Sequence, residues 1–292
     1  MLKSRDPQSV GNPSCEIARD AHELAVLLGE SLDISRSKGD SMRNLAHSAS
    51  ASFGTEGFTP FKKPGFILSI PAKTIVKMKK ATAITCLFLD VGGVLLTDGW
   101  DVQARKRAAD HFKLRWADME ERHRLNFETY EEGKLSLDEY LSRVIFCERR
   151  SFARAQFRRF MFAQSQPDPK MLALALQLKV QHGLKIVVVS NEARELNSHR
   201  IRKFKLNRFV DAFVSSCFVH LRKPDLDIFR MALDLAQTPP RQIVYIDNTQ
   251  MFVEIAKGFG IHGVVHTNYR STRAKLDSFG LSVDERGGHE NS

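Results

Sequence analysis

"CLFLDVGGVLL", Cys86 to Leu96, is the stretch whose reading decides the fold. Four apolar residues, of the kind buried on both faces of a parallel sheet, run into Asp90 and then break at Gly92 and Gly93. A lone carboxylate at the end of a buried strand is placed to act as a nucleophile. The acid that would assist it two residues later is missing, because position 92 is glycine.

Outward from this stretch, from Ile84 on, short apolar runs alternate with amphipathic helical patterns. "ITCLFLD", "LKIVVVS", "DAFVSSCF", "QIVYID" and "HGVVHT" read as buried parallel strands, and Asp227–Ala236 and Met251–Phe259 as helices between them. Strand–helix–strand repetition predicts an α/β fold, a three-layer Rossmann-like parallel sheet core. Between the first two strands, "DVQARKRAADHFKL", "WADMEERHRLNFETYEEG", "SLDEYLSRVIF" and "RAQFRRFMFAQ" predict four helices. Gly133 ends the second, and Ser136 with Glu139 forms a capping box for the third. One crossover needs one helix, so the surplus predicts an inserted all-helical cap. The expected division is 81–98 core, 99–167 cap, 168–278 core and 279–292 a flexible tail. Residues 1–80, rich in serine and glycine with one helical pattern from Ile17 to Leu32, are expected to be a disordered extension. An alternative is that the natural chain starts at Met78.

Composition narrows the classes. Of 292 residues, 42% are hydrophobic and 27% charged, as in ordinary globular proteins. No apolar run approaches the ~20 residues of a membrane span, so no membrane insertion and a cytoplasmic location are expected. The four cysteines form no C-x-x-C pair, and Cys86 and Cys217 fall in apolar strand-like runs, which argues against a structural metal cluster. The net charge of +10 raises nucleic acid as a partner. Its densest cluster, "RRSFARAQFRRF" (Arg149–Phe160), alternates with phenylalanine at helical spacing and reads as an amphipathic helix with a solvated basic face. No nucleic-acid-binding motif accompanies it, and nucleic acid is not the expected partner.

In an open parallel sheet, ligands bind beyond the carboxyl ends of the strands. Asp90, Ser190 and Asp247 stand at such ends. Lys223 precedes Pro224, which suits the first position of the "DLDIFRMALDLA" helix. Read singly, Ser190 or Asp247 would cap a helix and Lys223 would be solvated. Read together, they place a nucleophile, a hydroxyl, a cation and a second carboxylate on one edge.

With "LFLDVGGVL", "VVVSN", "RKPDLDIF" and "VYIDN" in this order, residues 84 to about 270 resemble the haloacid dehalogenase superfamily of hydrolases, and the insert resembles the small helical cap of its sugar-phosphate phosphatase branch. The resemblance implies that Asp90 attacks phosphorus or carbon to form a covalent ester, and that Lys223 neutralises developing charge. It implies phosphate binding by the turn at Gly92 and Gly93 and by Ser190 and the amide of Asn191, which would open a helix. It further implies Mg²⁺ held by Asp90, the Gly92 carbonyl, Asp247 and Asn248.

Two departures matter: Gly92 stands where family phosphatases carry a general acid, and Asn248 stands where many carry a second metal-binding aspartate. The expectation is a Mg²⁺-dependent phosphatase of a small phosphomonoester, its metal weakly bound. The alternatives are a silenced fold that binds a phosphorylated ligand or a protein, and a metal-independent 2-haloacid dehalogenase, with Arg105 and Arg107 as its candidate halide-binding arginines. Around the pocket, Asp98 and Trp100 of "LTDGW" are expected near the substrate, with Trp100 mainly a packing residue. Tyr130, Glu131 and Glu132 are expected on a solvated face. Of ten histidines, only His220 is singled out, for its nearness to Lys223. The sequence does not set the oligomeric state.

Overall fold

The computed structural model describes residues 83–283; the expected extension over residues 1–80, with its helical pattern, and the tail beyond 283 lie outside them. Five parallel strands form one sheet: β1 (Cys86–Leu89), β2 (Lys185–Ser190), β3 (Ala212–Ser215), β4 (Ile243–Asp247) and β5 (His262–Val265), in the order β3-β2-β1-β4-β5. Leu89 pairs with Val188 on one side and with Ile246 on the other, so β1 lies at the centre.

Every β1 side chain is buried, and the two-residue period of a strand sends them to two different layers. Leu87 and Leu89 join one cluster with Ile186, Val188, Val244 and Ile246, under helices α5 (Pro169–His182) and α10 (Tyr269–Asp277). Cys86 and Phe88 join the other with Val187, Val189 and Tyr245, under α8 (Leu226–Ala236) and α9 (Gln250–Gly258). Helices on both faces of the sheet make the expected three layers. At about 1.5–3 kcal/mol for each fully buried large apolar side chain, the central strands dominate the stability of this part of the chain.

The insertion is helical throughout its elements: α1 (Val102–His111), α2 (Trp116–Glu131), α3 (Leu137–Val144) and α4 (Arg154–Ala163). Its core is separate, built on Ala104, Ala108, Met119, Tyr140, Leu141 and Phe157, with Ala193 and Leu196 reaching in from around the start of α6 (Arg194–Lys203). Ser136 caps α3 and Glu139 reaches back to its main chain, the reciprocal box legible in the sequence. In α4, Phe157 and Met161 are buried while Arg154 and Arg158 lie over the rings of Phe146 and Phe162.

Three local expectations are corrected. The run "DAFVSSCF" is strand only to Ser215; Ser216–Val219 form a short helix, α7, which places Cys217 in a helix. Pro224 is not the first residue of α8, which starts at Leu226 with Asp225 as its cap. Tyr130 and Tyr140 are buried and stack with centroids 4.3 Å apart, so α2 turns this face inward and not to solvent.

Gly133 (φ 69°) ends the turn after α2, and a Cβ there would lie 2.3 Å from the Cys217 carbonyl oxygen. Backbone cannot yield as a side chain can. Gly133→Ala is therefore expected to cost about 2–4 kcal/mol, seen as a fall of about 5–15 °C in melting temperature. An unchanged melting temperature would show that this contact is not fixed.

Candidate active site

The strand order reverses at β1 and β4, and such a reversal opens a crevice beyond the carboxyl ends of the strands. Asp90 follows β1 directly, Asp247 ends β4 and Ser190 ends β2. A cavity of about 550 Å³ lies there, with Asp90, Gly92, Asp98, Asn191, Lys223 and Asn248 in its wall on the sheet side. Trp100, His123, Arg124, Phe127 and Tyr130 contribute from the insertion and the strap leading into it.

Lys223 links the two carboxylates. Its Nζ lies 2.6 Å from Asp247 Oδ2, 3.1 Å from Asp90 Oδ2 and 3.2 Å from the Tyr245 hydroxyl. Asp247 Oδ2 also accepts from Tyr245, and Oδ1 from the Thr249 amide at 2.7 Å. These groups have left water: Lys223 is 1% exposed, Asp247 0% and Asp90 8%. Burial is the largest influence on Asp90 and raises its carboxyl to about 6, with the Lys223 ammonium opposing and Asp247 adding to the rise. Burial alone would depress Lys223, but Asp90 and Asp247 outweigh it and hold the ammonium above its ordinary value.

The turn after Asp90 is tightly built. Val91 N–H donates to Asp90 Oδ1 at 2.8 Å and fixes the carboxylate. Gly93 (φ 68°) donates to Leu96 O at 2.7 Å, so its N–H serves the turn. A Cβ at Gly93 would meet Asn248 Nδ2 at 2.0 Å, which makes glycine a condition of the close approach. A Cβ at Gly92 would lie 3.1 Å from Asp98 Oδ1. The space open at the missing acid thus adjoins a carboxylate from the strap. Burial, with Asp101 adding and the Arg200 charge opposing, raises Asp98 above its ordinary value.

Ser190 Oγ is buried near enough to lower the Asp90 carboxyl, yet it completes no hydrogen bond with good geometry. A buried hydroxyl without a partner is an exception in folded proteins. Ser190 does not cap a helix: α6 begins at Arg194, so the opening of a helix at Asn191 is also corrected. The Asn191 side chain clamps Lys223, donating to its carbonyl at 2.8 Å and accepting from its N–H at 2.7 Å. Arg200, 1% exposed, ties the strap to the core through Glu192, Ser165 Oγ and the carbonyls of Thr97 and Asp98.

Of the other expected residues, Glu131 lines the cavity and pairs with Arg222, whereas Glu132 pairs with Lys134 away from it. His220 Nδ1 meets Glu132 O and lies outside the cavity wall. His123 lines it instead. The signal for His123 lay in its spacing with Met119, Phe127 and Tyr130 on the inward side of α2.

The donor set suits a hard cation in kind. The cavity wall carries six acidic side chains and four basic ones, an excess of negative charge to which a phosphate dianion would add. Among the described residues, no three His, Cys, Asp or Glu side chains group closely enough to hold a metal by themselves. A cation would rest on the Asp90 and Asp247 carboxylates, the Gly92 carbonyl and the Asn248 amide oxygen, with water completing its shell.

A family model described as haloacid dehalogenase-like hydrolase matches residues 84–260. The chain belongs to this family of hydrolases. It is 27% identical over 96 residues to "Phosphorylated carbohydrates phosphatase" of Thermotoga maritima, covering 32% of this chain and 44% of that one. It is 39% identical over 64 residues to "Haloacid dehalogenase-like hydrolase domain-containing protein 3" of Xenopus laevis, covering 22% and 26%. The chain thus spans less than half of either curated relative. Among solved structures, a family enzyme of Bacteroides thetaiotaomicron matches with a TM-score of 0.55 at 18% identity, over 68% of this chain and 99% of that one. A predicted HAD-like hydrolase of Porphyromonas gingivalis matches at 0.52 and 19% identity, over 67% and 98%. At these identities the structures establish the fold. Among the described residues no helix is long and apolar enough to cross a membrane.

Proposed function

We propose that the protein is a Mg²⁺-dependent phosphatase of small phosphomonoesters that works through an aspartyl-enzyme intermediate. One observation carries this: Asp90 stands at the end of the central strand, oriented by Val91 N–H and Lys223, and faces a cavity of small-molecule size. Asp90 Oδ attacks phosphorus as the bond to the leaving oxygen breaks. Asp98, beside the space at Gly92, gives that oxygen its proton and then takes one from the water that cleaves the acyl phosphate. Ser190 Oγ and the main-chain N–H of Asn191 receive phosphate oxygens, and Lys223 holds Asp90 ionised and in place. Mg²⁺, when bound, supplies positive charge against the phosphate oxygens.

The name of the Thermotoga relative agrees with this reading. Carbon–halogen hydrolysis finds less support: Arg105 is committed to Glu120 and the Trp100 carbonyl, and Arg107 to Gln164. The test is phosphate release from para-nitrophenyl phosphate and a sugar-phosphate panel, with and without Mg²⁺. Mg²⁺-dependent release is expected. No release from any substrate, where a 2-haloacid also yields no halide, would leave the reading of a silenced fold.

Asp98→Asn keeps the shape and removes the proton carrier. It is expected to lower kcat by about 10²- to 10⁴-fold. An unchanged kcat would remove Asp98 from the mechanism.

A further inference from the structure

Helix α2 contributes part of the cavity wall, and its one histidine, His123, is held by a relay. Trp100 Nε1 meets the Tyr140 hydroxyl at 2.9 Å, and this hydroxyl meets His123 Nδ1 at 2.8 Å. An indole N–H can only donate, so Tyr140 oxygen accepts it and its own proton goes to His123 Nδ1. Burial, with the charge of Arg105 adding, pushes the imidazole down to about 4, so the ring is neutral at ordinary pH. A neutral ring that accepts at Nδ1 carries its proton on Nε2. His123 is 7% exposed and lines the cavity, and Nε2 has no hydrogen-bond partner among the described residues. Its ring stacks on Phe127 and meets Tyr140 edge-on, which fixes the direction of the donor.

The adjacent Arg124 also lines the cavity and is exposed, and it has no ion-pair partner of its own among the described residues. Glu120, one helical turn before it and within reach of its charge, is taken on both oxygens by Arg105 at 2.8 Å. Glu120, Arg105 and Arg124 together leave one surplus positive charge. The other acids of this wall are engaged too: Asp101 caps α1 through Ala104 N–H, and Glu131 accepts from Arg222 at 2.8 Å. What this wall offers unspent are donors, one neutral and one cationic.

Resting on the phosphatase reading above, we propose that His123 Nε2–H and Arg124 select phosphomonoesters whose other end carries a second anionic oxygen group, a carboxylate or another phosphate. The phosphoryl end lies against Asp90 and the second acid against α2. A charge-assisted hydrogen bond made to one substrate and not another separates them by about 10- to 100-fold. A neutral donor beside the arginine adds direction without adding charge, which disfavours inorganic anions that lack the right span.

The test is a matched pair, 3-phospho-D-glycerate and sn-glycerol 1-phosphate, of the same arrangement at C2 and alike except that a carboxylate replaces a hydroxymethyl group. Fructose 1,6-bisphosphate against fructose 6-phosphate asks the same of a second phosphate. The protein should prefer the doubly acidic member of at least one pair by about 10-fold or more in kcat/KM. In Arg124→Ala and His123→Phe this ratio should collapse through KM. A structural role would lower both members equally and keep the ratio, and that result, or no preference in the unaltered protein, overturns the proposal. The ¹⁵N spectrum of His123 should show the Nε2–H tautomer, lost in Tyr140→Phe; an Nδ1–H ring overturns the relay. If the unaltered protein hydrolyses neither these four compounds nor para-nitrophenyl phosphate and the sugar-phosphate panel, the phosphatase reading falls by itself. Calorimetric titration with 3-phospho-D-glycerate then decides the wall: weaker binding to Arg124→Ala supports it, and equal or absent binding overturns it.

Discussion

Asp90→Asn is expected to end hydrolysis and to stabilise the fold in the same stroke. Removing a covalent nucleophile costs at least about 10⁴-fold in kcat where the rest of the site stays intact. The gain in stability follows from the raised carboxyl. Asp90 titrates at about 6 in the folded protein against an ordinary 3.8. Between these values the folded state binds more protons than the unfolded one, so stability falls as pH rises through that window and stays low above it. A neutral amide escapes the loss. Asparagine is a poorer acceptor for Lys223 than a carboxylate, which takes back part of the gain. The net difference is about 1–3 kcal/mol at pH 7.5, fading below pH 4. Urea denaturation at the two pH values measures it. The same titration predicts that kcat/KM of the unaltered protein climbs through pH 6, because the nucleophile must be ionised. A variant that is less stable at pH 7.5 would sink the claim that the charge of Asp90 is held at a cost.

That cost explains why the centre of the site could be read from the sequence and its surroundings could not. A carboxylate directly after four buried apolar residues is a local signal, and so are Asp247 after "IVYI" and the capping box at Ser136. Strand period and burial then carry the three-layer core, and helical period carries the four inserted helices. The misread parts depend on contacts between distant residues. The apolar pattern of "DAFVSSCF" continues past Ser215, yet Ser216 Oγ donates to Glu131 O and accepts from Glu192 N–H, and the chain turns into α7 there. The use of the Asn191 side chain is likewise set at a distance, by its clamp on the Lys223 main chain. His123 carries no metal-like spacing, and its role depends on Trp100 and Tyr140 from two other segments. Gly92 reads as an absence, but the position of Asp98 depends on how the strap folds back, held by Arg200 on the Thr97 and Asp98 carbonyls.

Lys223→Met should be the most damaging single change in the core. Methionine approximates the stem and removes the charge, which leaves the Asp90 and Asp247 carboxylates buried close together without their counter-ion. Breaking a buried ion pair from one side costs about 3–5 kcal/mol, because the remaining charge is left uncompensated. The protein can relieve this by protonating a carboxylate. Asp247 keeps the Tyr245 hydroxyl and the Thr249 amide as donors, whereas Asp90 keeps Val91 N–H and sits at a carboxyl already raised. Asp90 is therefore the one that takes the proton, and a protonated nucleophile does not attack. Loss of positive charge near the transferring group adds about 10²- to 10³-fold in kcat. Together these make Lys223→Met nearly as inactive as Asp90→Asn while moving stability the opposite way. The double variant Lys223→Met with Asp247→Asn separates charge from packing. If the cost is an unpaired carboxylate, the second change should return a large part of the lost stability without returning activity. If the two losses simply add, Lys223 supports the fold through the packing of its side chain and not through its pairing with Asp247.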